Sequence, residues 1–127
     1  MLLGYRHEAE SGTLTLLAWS PATRAEVAAR TIRIPQGAFA DLPGKGPVRP
    51  SGLARSPRDG SLVVTAAGHR ALVTLSPAGD LVGAVGVPAS RSLPQLEAIA
   101  FTGAGTLILG SEGGKDRGRM RVYQPAD

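Results

Sequence analysis

The sequence predicts an all-β protein of short antiparallel strands, on three observations. Seventeen Gly and ten Pro in 127 residues interrupt the chain too often for long helices. Apolar residues alternate with a period of two: Leu14, Leu16 and Ala18 share one face, and Thr13, Thr15 and Leu17 the other. A pattern of about 45 residues also recurs along the chain, which marks a repeat architecture.

The repeat is clearest between Pro50–Gly79 and Leu96–Asp127. Leu53-Ala54 falls on Ile99-Ala100, a turn ending at Gly60 on one ending at Gly105, and Leu62-Val63-Val64 on Leu107-Ile108-Leu109. Leu75-Ser76-Pro77 then falls on Tyr123-Gln124-Pro125. The N-terminal segment reads as the same unit without its first strand: Leu2-Leu3-Gly4 resembles Val63-Val64-Thr65, and Thr13 to Pro21 resembles the run ending at Leu75-Ser76-Pro77. Val27 to Ile34 and Leu81 to Val85 read as fourth strands, and Pro35 to Pro50 as a long connection. Ala22 to Arg30 has good helix formers, but at about two and a half turns it is too short to be a strong helix.

Four short antiparallel strands per repeat describe a propeller blade. The boundaries are 1–46, a partial blade lacking its first strand plus a connection; 47–90, a full blade; and 91–127, a last blade of three strands. That makes about two and a half blades, fewer than the four or more that a closed ring needs. The expectation is therefore either missing N-terminal blades, the favoured reading, or self-association through open blade edges. Trp19, Leu75 and Tyr123 fall at equivalent places and are expected to pack between blades.

Composition narrows the function. Hydrophobic residues at 43% and charged residues at 19% fit a folded domain, and no apolar run approaches the roughly 20 residues of a spanning helix. Cysteine is absent, which excludes disulfides, thiolate nucleophiles and Cys-based zinc sites, and two His cannot make a three-His site. The +4 net charge rests on twelve Arg and two Lys. With no Asn and abundant Ala, Gly and Pro, that bias is what a G+C-rich coding sequence would give, so no nucleic-acid partner is inferred. The start, Met1 to Glu8, has none of the features of a signal peptide.

The runs IRIPQGAF (Ile32 to Phe39), VRPSGLARSP (Val48 to Pro57), Ser76 to Leu81, LPQLEAIAF (Leu93 to Phe101) and GTLILGSEGG (Gly105 to Gly114) resemble the C-terminal half of the SdiA-regulated family, bacterial six-bladed β-propellers. There the matching runs read approximately RPSGIAIHP and QPEGIAFxPDGxLxISNEG. This chain departs in having Leu96-Glu97-Ala98 for Pro-Glu-Gly, which puts the backbone beside Glu97 in question, and Gly103 where Pro is usual. The resemblance implies a six-bladed ring in the bacterial envelope, periplasmic or membrane-tethered, with calcium a plausible bound ion.

Glu97 is the leading candidate site residue, because it begins the innermost strand of the last blade, where a carboxylate can ligate a hard cation or a polar ligand. Glu112 follows the second strand in a similar place, and Ser51 is the repeat counterpart of Glu97, expected as a channel-lining hydroxyl rather than a nucleophile. The expected function is binding, of calcium, a small ligand or a protein partner. The alternative is a metal-dependent esterase, lactonase or phytase-like hydrolase drawing most of its ligands from other blades, since the five Asp fall in turns or at the terminus.

Other features read as structural. Gly110 to Lys115 has the wrong spacing for a phosphate loop, and His7 and His69 look like isolated loop residues. Lys115, Arg117, Arg119 and Arg121 recur every second residue and read as a solvated outer strand rather than a nucleic-acid surface.

Overall fold

The computed structural model describes residues 2–8, 13–41, 46–87, 93, 95–113, 115 and 117–126. Their strands form three antiparallel sheets in chain order. In the first, β1 (Leu2–Glu8) pairs along its length with β2 (Thr13–Ser20). The next position is shared by β3 (Ala25–Glu26) and β4 (Ile32–Pro35), both of which pair with β2.

The expected single strand from Val27 to Ile34 is thus two pieces around a 3-10 turn at Ala28–Arg30. Val27 N–H reaches back to Ala18 O at 2.8 Å, and Arg30 N–H then bonds Val27 O at 2.9 Å. The helix formers Ala28 and Ala29 coil once there, and no α-helix forms over Ala22 to Arg30.

The second sheet runs β5 (Pro50–Arg55), β6 (Leu62–Ala66), β7 (Ala71–Leu75), β8 (Leu81–Gly86), and the third runs β9 (Leu96–Phe101), β10 (Leu107–Ser111), β11 (Arg119–Tyr123). Between β7 and β8 a tight turn is closed by Gly79 N–H on Ser76 O at 2.9 Å. Gly79 has φ +98°, and a Cβ there would sit 2.7 Å from Ile32 Cγ1, so both conformation and space demand glycine.

Register corrects one alignment. Leu62 pairs with Leu75, Leu107 with Tyr123, and Leu2 with Trp19. Leu2 is therefore the counterpart of Leu62, one residue earlier than the resemblance to Val63 suggested. In a strand, one residue exchanges the two faces.

Two cores sit between the sheets. Leu14, Leu16 and Ile34 of the first sheet meet Leu62, Val64, Val73 and Leu75 of the second. Val63 and Leu72, on the other face of that second sheet, meet Leu96, Leu107, Leu109 and Tyr123 of the third. The connection after β4 contributes to the first core: a 3-10 turn at Gln36–Phe39 buries Phe39, and Val48 is buried beside it. The Gln36 amide holds that return, with Nε2 donating to Val48 O at 3.0 Å and Oε1 accepting from Val48 N–H at 2.8 Å. Residues 42–45 of this connection lie outside the described residues.

Packing also corrects two expectations about single residues. Leu75 is fully buried and Tyr123 packs against the second core, but Trp19, at the same repeat position, is 44% exposed because it lies on the face of β2 turned away from the second sheet. His69 is buried in the 3-10 turn Ala67–His69 rather than lying on the surface as expected, and His7 belongs to β1 rather than to a loop; only the backbone of His7 is described.

Candidate functional site

The two inner strands share one irregularity. In β5, Gly52 pairs with Thr65 and Pro50 with Ala66, leaving Ser51 as an extra residue. In β9, Ala98 pairs with Gly110 and Leu96 with Ser111, leaving Glu97 as the extra residue. Each is a β-bulge, a device that re-aims one side chain at a strand end. The repeat equivalence of Ser51 and Glu97 thus has a structural form, and Ala98 in place of glycine leaves the bulge beside Glu97 intact.

The hydroxyl of Ser51 is committed to the joint between the strands. It donates to Leu96 O at 2.6 Å, lies 3.0 Å from Thr65 Oγ1 and 3.3 Å from Thr65 O. Beside it, Gly52 lets the strands close up: a Cβ would meet Thr65 Oγ1 at 2.8 Å and both Glu97 O and Ile99 Cγ2 at 3.2 Å. Sequence reasoning missed Thr65, whose signal was a lone polar residue within the apolar run Leu62 to Ala66.

Glu97 is exposed, with no hydrogen-bond or ion-pair partner for its carboxylate among the described residues. Glu112 stands at the same end, since Ser111 pairs with Leu96 and Glu112 N–H bonds Gln95 O at 3.1 Å. Ser111 Oγ accepts from Gln95 N–H at 2.9 Å, tying this strand end down. The structure therefore brings Glu97 and Glu112 to flank one cross-strand pair, next to the strand end that carries Ser51. An open cleft of about 510 Å3 lies at this same end, lined by Arg49, Pro50, Ser51 and the Ala67–His69 turn. Another, of about 310 Å3, opens at the opposite end between Ala18, Arg30, Arg55 and Leu62.

Calcium takes six to eight oxygens. Among the described residues no three His, Asp or Glu side chains gather as a metal site, so these residues do not by themselves constitute one. Asp41 and Asp59 lie in turns and Asp80 directly follows one, while Asp116 and Asp127 fall outside the described residues. Asp59 is held below the usual carboxylate range, first by the backbone N–H of Ser61, donating to Oδ1 at 2.9 Å, and then by the Ser61 hydroxyl. Of the basic series, Arg119 and Arg121 lie on β11, an edge strand, while Lys115 and Arg117 precede it; the four do not form the single strand face expected.

No family model matches the chain, and no curated protein does. Among solved structures it is similar to a luciferin-regenerating enzyme, with a TM-score of 0.60 and 16% sequence identity over 97% of this chain. The match spans 41% of that enzyme's chain. At this identity the likeness is one of fold: three antiparallel sheets arranged as part of a β-propeller.

Proposed function

We propose that this chain is part of a binding propeller that takes a small polar or cationic ligand at the end of its inner strands, with Glu97 as the recognising group. One observation carries the reading: the bulge in β9 sets an exposed carboxylate, without a partner among the described residues, at the strand end where the Ser51 bulge and the cleft also lie. Bulges of this kind commonly stand beside binding sites. Glu112 would be a second contact, and Ser51 would act by holding β9 in place. The SdiA-regulated resemblance adds a bacterial envelope setting and makes calcium the first ion to test, with further oxygens needed beyond those of the described residues.

The test is thermal unfolding and titration calorimetry with calcium chloride on the chain and on Glu97→Gln. A ligand at a hundredfold excess over its Kd stabilises by about 2.7 kcal/mol, and the reading expects that shift to be lost in the variant. If calcium and a panel of polar small molecules leave both proteins unshifted, the binding reading fails. The second reading, a metal-dependent hydrolase, uses the same carboxylate and would show as turnover of esters or lactones that disappears in Glu97→Gln.

A further inference from the structure

The two internal sheet contacts are built from the same pair of faces, one repeat apart. Leu14, Leu16 and Ile34 of the first sheet point forward onto the second, and Val63 and Leu72 of the second point forward onto the third. The receiving faces carry Leu62, Val64 and Leu75 in the second sheet, and Leu107, Leu109 and Tyr123 in the third. Each contact thus joins a forward face to a rear face.

Among the described residues, one copy of each face is left without such a contact. By register, Ile108, Met120 and Val122 of the third sheet are the counterparts of Val63, Leu72 and Thr74, so they form its forward face. Met120 is 73% and Val122 55% exposed, and Ala98 and Ala100 beside them are exposed as well. On the first sheet, Leu17 and Trp19 are the counterparts of Val73 and Leu75 and form the rear face, with Leu17 half-buried and Trp19 44% exposed. The chain therefore exposes both halves of the contact it makes twice inside itself.

We propose that a second copy of this chain docks head to tail, seating the Trp19 face of its first sheet on the Met120 and Val122 face of the third. Unlike faces meeting in this way form a heterologous contact, which either closes or propagates. Two copies of this 127-residue sequence carry six of these sheets, within the four to eight blades of closed propellers, so for this sequence by itself closure of a dimer by two such contacts is the expected outcome. Arg119 and Arg121 stand on the opposite face of β11 and do not obstruct it.

The experiment is light scattering coupled to size exclusion on the 127-residue chain over a range of concentrations, with its single tryptophan as a reporter. A dimer is expected, and Trp19 emission should shift to the blue with the same concentration midpoint as the mass. Met120→Glu and Trp19→Glu should each raise the dissociation constant at least about tenfold. An equimolar mixture of the two variants should recover a two-chain species, because one intact contact is restored; that recovery cannot come from an unfolded variant. A wild-type monomer at all concentrations would leave the faces to other polypeptides and overturn the proposal. So would a dimer that survives Trp19→Glu, which would mean like faces meet, or Trp19 emission unchanged on association.

Discussion

Alanine at Gly52 tests the joint between the inner strands. The added Cβ would lie 2.8 Å from Thr65 Oγ1, 3.2 Å from Glu97 O and 3.2 Å from Ile99 Cγ2. None of these yields easily. Thr65 is fully buried and its hydroxyl is shared with Ser51, and Glu97 O is backbone in a strand held by the β10 ladder. Overpacking of this kind costs about 1–3 kcal/mol. With an unfolding entropy of about 2.1 cal/mol/K per residue, a chain of this length loses roughly 4 °C of Tm per kcal/mol, so Gly52→Ala should melt about 4–11 °C lower. The control is Gly83→Ala in β8, where nothing lies within 4 Å of the new Cβ and stability should move by no more than about 0.5 kcal/mol. Both are measured by thermal and urea unfolding at one fixed protein concentration, because association would otherwise shift the midpoint. If Gly52→Ala unfolds with the Gly83→Ala variant, the close approach of β5 and β9 is wrong.

Three further outcomes follow from the same contacts. Ser51→Ala should lower stability by about 1–2 kcal/mol in urea unfolding, since Leu96 O loses its donor and Thr65 Oγ1 a partner. Leu75→Ala, at a fully buried position, should cost about 2–5 kcal/mol, against less than about 1 kcal/mol for Leu81→Ala on the exposed β8; equal losses would place the first core elsewhere. Because the folded chain lowers the Asp59 pKa, its stabilising effect is present above the unfolded value and is lost as pH falls through the folded one. Asp59→Asn should therefore flatten the acid limb of a stability–pH curve, and an unchanged limb would count against the Ser61 hydrogen bonds.

Much of the fold was legible in the residues. The repeat alignment, with the x-Ser/Gln-Pro turns after Leu75 and Tyr123 and the Gly60 and Gly105 turns, placed the second and third sheets strand by strand, while period-two alternation marked Thr13 to Ala18 of the first as a strand. At the candidate site, the equivalence of Ser51 and Glu97 was also readable, because both follow a fixed distance before the same apolar pair. The first sheet was harder. Its outer strand contains Ala28 and Ala29, whose local preference to coil splits it, and the short Leu2-Leu3-Gly4 run admits two alignments that differ by one residue and by which face is buried.

Local pattern determined which segments extend, where they turn, and that the unit repeats, because those properties depend on neighbours a few residues apart. Only the tertiary structure decided which copy of a repeated residue is covered. Trp19, Leu75 and Tyr123 look alike in sequence, yet Leu75 is sealed, Tyr123 half sealed and Trp19 open, since burial depends on a sheet from elsewhere in the chain. The same holds for the paired bulges: Ser51 spends its hydroxyl on Leu96 O because a neighbouring strand lies against it, whereas Glu97, one repeat on, meets no such strand among the described residues and keeps its carboxylate exposed.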